Sequence, residues 1–405
     1  MSKPWIDIIG IGEDGWDGLS TDAQQQLREA EIIIGGDRHH KLASGVDGER
    51  VRWPSPFDAM IDVIRSYRGK RLVILVTGDP LWYSVGARII RAISAEEIRF
   101  HPQLSAFQWA ACRMGWSLAD CDTLTIHGRP VSQIVPHLAP RARLLILTKD
   151  ETSPQAVAEL LNARGFGDST MTVLAALGGP QEQRFSKPAS EWDIEVPAFH
   201  VLAVECVAAS DAIWHSRAGG WPDEAFCHDG QITKQDIRAA TISKLAPFND
   251  AVLWDIGAGC GSVAIEWMFA ARGAMAVAIE PRDDRLDLIR KNSVALGAEK
   301  ISIIKGRAPD ALAGLPSPDA VFIGGGISEA GVFEAAFDAL PVGGRLVANV
   351  VTLEGEARLG ELHQAWGGEL VRLSIQKAQS IGGFRGWRAA MPVTQWLFVK
   401  QAGTT

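Results

Sequence analysis

The chain has 405 residues, a formal net charge of −8, 47% hydrophobic residues and 22% charged residues. That length exceeds one compact core and calls for two domains or more, and the apolar share excludes a disordered chain. The acidic balance disfavours nucleic acid as the main partner but leaves room for an anionic small molecule held by a local Arg/Lys pocket.

The chain opens with a predicted strand from Trp5 to Gly10 and the turn Gly10-Ile-Gly12-Glu-Asp-Gly15. A helix follows from about Thr21, where Thr21-Asp22-Ala23-Gln24 matches a capping box. Strands are predicted at Ile32–Ile34, at Arg71–Val76 ending in Thr77-Gly78-Asp79-Pro80, and at Ile98–His101 before Pro102 and Ser105-Ala106. The pattern restarts after about residue 120, with strands at Thr123–Ile126, Arg143–Leu147, Thr170–Ala175 and His200–Cys206 and a helix at Pro154–Arg164. Residues 1 to about 207 therefore read as two small α/β lobes. Ala-Ser-Asp, Arg217-Ala-Gly-Gly and Trp221-Pro222 make 208–222 the best linker candidate.

Beyond the linker a helix is predicted at Lys234–Leu245, with Thr233 as its N-cap. Strands follow at Ala251–Asp255, Met275–Ile279, Ile301–Lys305, Ala320–Ile323, Arg345–Asn349, Leu370–Gln376 and Gln395–Val399. Helical patterns between the first five describe a doubly wound sheet, and the last two an antiparallel edge.

The strongest chemical signal is Asp255-Ile-Gly257-Ala-Gly259-Cys-Gly261. It reads as a strand, a glycine turn where a ligand can approach backbone, and a helix. Glu280 falls at the end of the next strand, where a carboxylate can accept hydrogen bonds from two ribose hydroxyls. Gly306-Arg307-Ala308 follows the third strand, where a small side chain leaves room for an adenine ring. Asp319 begins the fourth strand and Gly324-Gly325-Gly326 ends it. Strand carboxyl ends are where open α/β sheets bind ligands.

Gly10–Gly15 matches the dinucleotide fingerprint, with Asp37 about twenty residues on. Trp16–Ser20 intervene before the helix, however, and Glu13 and Asp14 sit inside the turn, where they would repel a pyrophosphate. Among the basic residues, Arg307, Lys377, Arg385 and Arg388 fall at predicted strand ends or nearby loops, as do His39, His40, Lys41, His127 and Arg129 in the first half. Most read as solvated charges, and a minority as lining for an anion pocket.

The five cysteines, Cys112, Cys121, Cys206, Cys227 and Cys260, include no Cys-x-x-Cys pair. They are expected to be reduced thiols of a cytoplasmic protein, and no metal site is expected. Neither a signal peptide nor a bilayer-length apolar run is apparent, so no membrane partner is expected.

Taken in order, these motifs carry a resemblance. Residues 5–207 resemble a tetrapyrrole methylase domain through Gly10–Gly15, Thr77-Gly-Asp79-Pro80-Leu, Pro102-x-x-Ser105-Ala106 and Ile126-His127-Gly128-Arg129. Residues 222–405 resemble the small class I methyltransferase of corrin biosynthesis through Pro222-Asp-Glu, Gln231-Ile-Thr233-Lys-Gln-Asp-Ile-Arg238-Ala, the glycine motif, Gly306-Arg-Ala308-Pro-Asp-Ala and Pro318-Asp319-Ala-Val-Phe-Ile-Gly324-Gly-Gly. The two fused in this order resemble the precorrin-6Y methyltransferase (decarboxylating) family of cobalamin biosynthesis.

The resemblance implies an α/β chain in two parts: a two-lobed tetrapyrrole methylase fold over 1–210, breaking near 120, and a doubly wound, Rossmann-like class I methyltransferase over 218–405. It implies one S-adenosylmethionine per domain. Gly12, Gly78, Asp79, Trp82, Ser105 and Ala106 are expected to line the first cofactor site. Thr233, Asp255, Gly257, Gly259, Gly261, Glu280 and Ala308 are expected to line the second. The first half is expected to methylate ring carbon 5 of precorrin-6B. The second is expected to methylate carbon 15 and release carbon dioxide from the carbon-12 acetate, giving precorrin-8X. The family loop commonly reads Gly-x-Gly-Pro-Gly, so Glu13-Asp14 is a departure.

Methyl displacement from a sulfonium needs alignment and exclusion of water, so no obligatory Ser, Cys or His nucleophile is expected and no catalytic residue is assigned. Arg385 and Arg388 are candidates for positioning the carboxylated tetrapyrrole. A homo-oligomer is expected. An RNA or protein methyltransferase, a nicotinamide-dependent oxidoreductase and a non-catalytic nucleotide sensor remain alternatives.

Overall fold

The structure is a computed structural model and describes residues 4–403. The chain divides into two compact units, one of Met1–Val131 with His137–Ile213 and one of Ser132–Pro136 with Trp214–Thr405.

The first unit begins with β1 (Ile6–Ile11), α1 (Thr21–Arg28), β2 (Ile32–Gly35), α2 (Asp37–Leu42), β3 (Glu49–Arg52), α3 (Met60–Ser66), β4 (Leu72–Thr77), α4 (Gly86–Ile89), β5 (Ile98–His101) and α5 (Ala106–Met114). Its strands form a parallel sheet in the order β3-β2-β4-β1-β5. Every residue of β1 is buried, as a strand covered on both faces requires. Ile6 and Ile8 join Leu72 and Ile74 in one core, and Ile9 and Ile11 join Val73 and Leu75 in another. Alternate side chains thus serve opposite faces of the sheet.

The second lobe holds β6 (Asp122–Thr125), β7 (Arg143–Leu147), α6 (Ser153–Ala163), β8 (Thr170–Ala175), β9 (Gln183–Pro188) and β10 (His200–Glu205). Its order is β6-β7-β10-β8-β9, and the β6–β7 pair is its parallel pair. The sequence pattern missed β3 and β9. Both are half-exposed edge strands rich in charged residues, with no apolar alternation to reveal them.

The second unit contains α7 (Gln235–Leu245), β11 (Val252–Ile256), α8 (Ser262–Ala270), β12 (Met275–Glu280), α9 (Asp283–Leu296), β13 (Ser302–Lys305), β14 (Ala320–Ile323), α10 (Val332–Ala339), β15 (Arg345–Val350), α11 (Leu353–Trp366), β16 (Glu369–Leu373), β17 (Gln376–Ile381), β18 (Phe384–Ala389) and β19 (Val393–Val399). Seven strands pair in the order β13-β12-β11-β14-β15-β19-β16. Strands β11 to β15 are mutually parallel, and β19 runs antiparallel to β15 and β16. The chain winds one way from β11 to β13 and the other way from β14, so the topological switch lies between β11 and β14.

Three local expectations are corrected. The helix α1 is capped by Ser20, whose side chain accepts from the Ala23 backbone N–H, so Thr21 is already helical. The helix α7 starts at Gln235 with Lys234 in the cap position, so Thr233 lies outside it and is not its N-cap. The single strand expected over Leu370–Gln376 is two strands: β16 stays in the main sheet, and β17 pairs with β18 as a separate hairpin. The expected linker is also partly packed, since Trp221 is buried and stacks between His215 and Phe226.

Candidate functional site

In the second unit, the turn after β11 sits at the switch point. Gly257, Gly259 and Gly261 all have positive φ, at 74°, 59° and 81°. A Cβ on Gly257 would stand 3.0 Å from the Gly325 nitrogen, so the turns after β11 and β14 touch through backbone. A Cβ on Gly259 would meet nothing nearer than the Gln231 carbonyl oxygen at 3.7 Å, leaving the middle of the turn open.

Two buried carboxylates organise this turn. Glu280 accepts from the Gly259 N–H at 2.9 Å and from the Arg282 N–H at 3.1 Å. A carboxylate offers about four lone-pair sites, so acceptor capacity remains. Asp255 accepts from the Ala264 N–H at 3.1 Å. Because the N-cap of α8 is Gly261, which has no side chain, this carboxylate from β11 does the capping. Its other oxygen, Oδ1, is buried without a hydrogen-bond partner. Burial pushes the Asp255 carboxyl up to about 7, the Ala264 N–H opposes that, and the nearby Glu280 charge adds to it.

A strap formed by residues 220–233 is fastened beside this turn by Arg238, whose side chain is fully buried. The guanidinium donates to Glu266 of α8 at 2.5 Å, to Asp223 at 3.1 Å, and to the carbonyl oxygens of Thr233 and Trp221. Glu266 in turn accepts from the Gly220 and Trp221 N–H groups at 2.6 and 3.0 Å. Asn292 joins both ends of the region, donating to the Cys227 and Cys260 carbonyls at 2.9 Å each. The arrangement brings the Gln231 carbonyl to the glycine turn, while Thr233 is tied through its own carbonyl to Arg238 and caps nothing. The positions of Arg238 and Glu266 escaped the sequence reading as site components; the signal was a charge on an otherwise core-facing helix position.

Ala308 lies in the turn after β13, where the Gly306 N–H bonds to the Glu280 carbonyl at 3.3 Å, so the third strand end adjoins the second. Arg385 and Arg388 lie within β18, exposed, opposite Ser380 and Lys377. They are strand-interior residues of the hairpin and not residues of a strand end. Lys377 reaches back to Asp236 of α7 at 3.2 Å.

The first unit builds its turn from the ends of the adjacent strands β1 and β4. A Cβ on Gly10 would stand 1.8 Å from the Gly78 carbonyl oxygen, so glycine is required where the two strand ends meet. Gly78 has φ +62°, and a Cβ there would stand 2.9 Å from Ser105 Cα. Asp79 Oδ1 accepts from the Leu81 and Trp82 N–H groups at 2.7 and 3.1 Å and so shapes the turn. Trp82 rests against Phe107 with ring centroids 5.6 Å apart. Ser105 caps α5: its hydroxyl accepts from the Gln108 N–H at 3.3 Å, and Gln108 accepts from the Ser105 N–H at 2.8 Å. Ala106 is the first residue of that helix. Gly78, Asp79, Trp82, Ser105 and Ala106 thus share one neighbourhood, and Gly12 belongs to the adjoining β1 loop.

The acids of that loop are engaged locally. Glu13 accepts from Arg38 Nε at 2.6 Å, and Asp14 packs against Gly12 and Gly18. A short 3-10 turn at Gly15–Gly18 separates the glycines from α1, so no α-helix opens at the second glycine as pyrophosphate binding requires. Arg38 and His39 both reach Thr77 at the end of β4; of the two, only His39 stands among the basic residues singled out from the sequence, and without a link to β4.

Among the described residues no group of side chains could hold a metal ion, and no helix is long and apolar enough to cross a membrane. The second turn offers open backbone at Gly259 beside the orphaned Asp255 oxygen and the buried Glu280 carboxylate, whereas the first turn is closely packed at Gly10, Gly12 and Gly78.

Comparison with known proteins matches residues 6–193 to the family of tetrapyrrole (corrin/porphyrin) methylases and residues 224–400 to the precorrin methyltransferase domain. A precorrin-6Y C(5,15)-methyltransferase [decarboxylating] from Sinorhizobium sp is 46% identical over 400 residues, covering 98% of this chain and 97% of that protein. A cobalt-precorrin-7 C(5)-methyltransferase from Salmonella typhimurium is 29% identical over 199 residues, 49% of this chain and 98% of that protein. A probable cobalt-precorrin-6B C(15)-methyltransferase (decarboxylating) from Pyrobaculum calidifontis is 33% identical over 190 residues, 44% of this chain and 95% of that protein.

Proposed function

The chain belongs to the precorrin-6Y C(5,15)-methyltransferase (decarboxylating) family, and from that premise we propose how its two units divide the work. It is an S-adenosylmethionine-dependent methyltransferase acting on a corrin precursor, with decarboxylation. In our reading, each unit is a domain with its own cofactor site. The first methylates ring carbon 5. The second methylates carbon 15 and releases carbon dioxide from the carbon-12 acetate, taking precorrin-6B to precorrin-8X. Supporting this division, single-position relatives are each matched by about half of this chain.

The observation that carries the proposal is the presence of two separate glycine turns, each at the carboxyl end of a central strand of its own sheet. When bound, S-adenosylmethionine supplies an electrophilic methyl group. In the second domain Glu280 would hold the ribose hydroxyls, while Gly257, Gly259 and Gly261 let the nucleoside lie against backbone. Ala308 would leave space for the adenine, and Asp255 would fix the start of α8. Thr233 would approach through the strap that Arg238 fastens. In the first domain Gly12, Gly78, Asp79, Trp82, Ser105 and Ala106 would form the corresponding cradle.

The substrate is a polycarboxylate, and Arg385 and Arg388 on the exposed β18 are positioned in our reading to meet its acid side chains. Both residues are exposed, and no acid stands between Gln376 and Ala389, so the hairpin is locally cationic on an acidic chain. A homo-oligomer and a cytoplasmic place of action complete the proposal. The exposed apolar Ile381, Phe384 and Trp387 support the first, and the absence of any paired cysteine spacing supports the second.

Calorimetric titration of S-adenosylhomocysteine into the intact chain tests the paired sites. Two binding events are expected. A single event contradicts one cofactor site per domain, and none at all contradicts the methyltransferase reading.

A further inference from the structure

Thr77 closes β4, one residue before the Gly78-Asp79 turn, and is exposed there. Its Oγ1 receives two hydrogen bonds. Arg38 Nη1 donates to it at 3.1 Å, and His39 Nε2 stands 2.9 Å away. The direction of the second bond follows from the other ring nitrogen. The Gly36 backbone N–H donates to His39 Nδ1 at 3.3 Å, so Nδ1 is an acceptor and the proton resides on Nε2. Burial, with the neighbouring charges of Arg38 and His40, pushes His39 down to about 4, which keeps the ring neutral near pH 7.

A threonine hydroxyl has two lone pairs and one proton. Arg38 and His39 occupy both lone pairs. The proton must therefore point elsewhere, and among the described residues no protein acceptor receives it. The two donors are themselves held. Arg38 is tied to Glu13 at 2.6 Å and lies 4.0 Å over the ring of Phe199. His39 is fixed by Gly36. The hydroxyl is thus a donor with a set orientation, backed by a guanidinium, at the mouth of the first glycine turn.

We propose that Thr77 donates a hydrogen bond to a carboxylate oxygen of the ligand bound in the first domain, with Arg38 and His39 as positioning residues that act through it. The inference rests on the methyltransferase reading above. Carboxylate oxygens are the strongest acceptors such ligands carry, and they suit a hydroxyl proton whose direction is set by Arg38 and His39, the Arg38 charge itself being shared with Glu13. Two sources supply one: the methionine end of the cofactor and the acid side chains of the tetrapyrrole.

The test uses the intact chain carrying Thr77→Val or Thr77→Ser. KM for each substrate and kcat are measured for methyl transfer to carbon 5, with transfer to carbon 15 as the internal control and S-adenosylhomocysteine titration as the binding readout. Loss of one hydrogen bond is expected to weaken binding about three- to tenfold in Thr77→Val, with carbon-15 transfer unchanged and Thr77→Ser restoring the loss. If the cofactor supplies the carboxylate, KM for S-adenosylmethionine and the Kd for S-adenosylhomocysteine rise together. If the tetrapyrrole supplies it, its KM alone rises. Unchanged constants in Thr77→Val overturn the proposal, as does a Thr77→Ser variant as impaired as Thr77→Val, or an equal loss of both transfers. Carbon-5 transfer by the unaltered chain tests the underlying reading separately.

Discussion

Arg238 of α7 and Glu266 of α8 form an ion pair at 2.5 Å with neither side chain exposed to solvent. The other hydrogen-bond partners of the Arg238 guanidinium belong to the strap beside the glycine turn: Asp223, the Thr233 carbonyl and the Trp221 carbonyl. One buried cation therefore joins two helices to the segment beside the glycine turn proposed as the second cofactor site. Removing one member of such a pair strands the other as an uncompensated charge, at about 3–5 kcal/mol. Arg238→Met is expected to destabilise the second domain by that amount, read by chemical denaturation, and to abolish one of two S-adenosylhomocysteine binding events. The double variant Arg238→Met with Glu266→Leu is expected to recover only part of the stability, since the stranded Glu266 charge is gone but Asp223 and the Gly220 and Trp221 N–H groups lose these partners. A single variant as stable as the unaltered chain would show that the pair holds nothing.

Glu280 already accepts from two backbone N–H groups, and an amide in its place puts an N–H₂ group against one of them. Hydrogen bonds to a charged group contribute about 1.5–3 kcal/mol. Glu280→Gln is therefore expected to weaken one S-adenosylhomocysteine event by about tenfold to a hundredfold and leave the other intact. Calorimetry on the intact chain checks this. Two unaltered events would remove Glu280 from the site.

Gly10 and Gly45 make a matched pair for the first turn. A Cβ at position 10 would stand 1.8 Å from a backbone oxygen, whereas one at position 45 would meet nothing within 4 Å. Backbone cannot step aside as a side chain can, so Gly10→Ala is expected to cost at least about 1–3 kcal/mol. Gly45→Ala is expected to stay within about 0.5 kcal/mol of the unaltered chain. Thermal unfolding of both variants gives the comparison, and equal melting temperatures would contradict the close approach of the two strand ends.

Asp255 makes stability depend on pH. Its carboxyl sits at about 7 in the fold, above the ordinary value of about 4 for an unfolded chain. The folded state thus holds this proton more tightly than the unfolded state does. The contribution is fully present below about pH 4 and is lost as pH rises through about 7. Asp255→Asn is expected to flatten that decline, measured by urea unfolding at about pH 5 and about pH 8. A decline of the same size in the variant would assign the effect to another group.

The second site was the more readable of the two from sequence because its signals are local. Asp255, three alternating glycines and an acid at the end of the next strand are backbone requirements written into consecutive residues. The doubly wound sheet followed from the same logic, since strands buried on both faces read as apolar runs. What escaped were features set by distance or by missing burial. Nothing near Arg238 announces Glu266, which is 28 residues further along the chain. Thr233 looked like a helix cap, but Lys234 takes the extended cap conformation, with φ −61° and ψ 149°. The β17–β18 hairpin packs on no core, so its pattern carries no apolar alternation, and Arg385 and Arg388 were placed at a strand end instead of within a strand. The join between Arg38, His39 and Thr77 depends on β2 pairing beside β4, which periodicity alone does not order.

The central claim is that two independent sites in one chain move two methyl groups and release one carbon dioxide. The direct measurement is mass analysis of the product formed from precorrin-6B and S-adenosylmethionine by the intact chain and by its Glu280→Gln variant at limiting cofactor. The account predicts a doubly methylated, decarboxylated product from the intact chain. It predicts that the variant loses carbon-15 methylation and carbon dioxide release while carbon-5 methylation persists. Joint loss of both methylations in the variant, or a single methyl added by the intact chain, would contradict it.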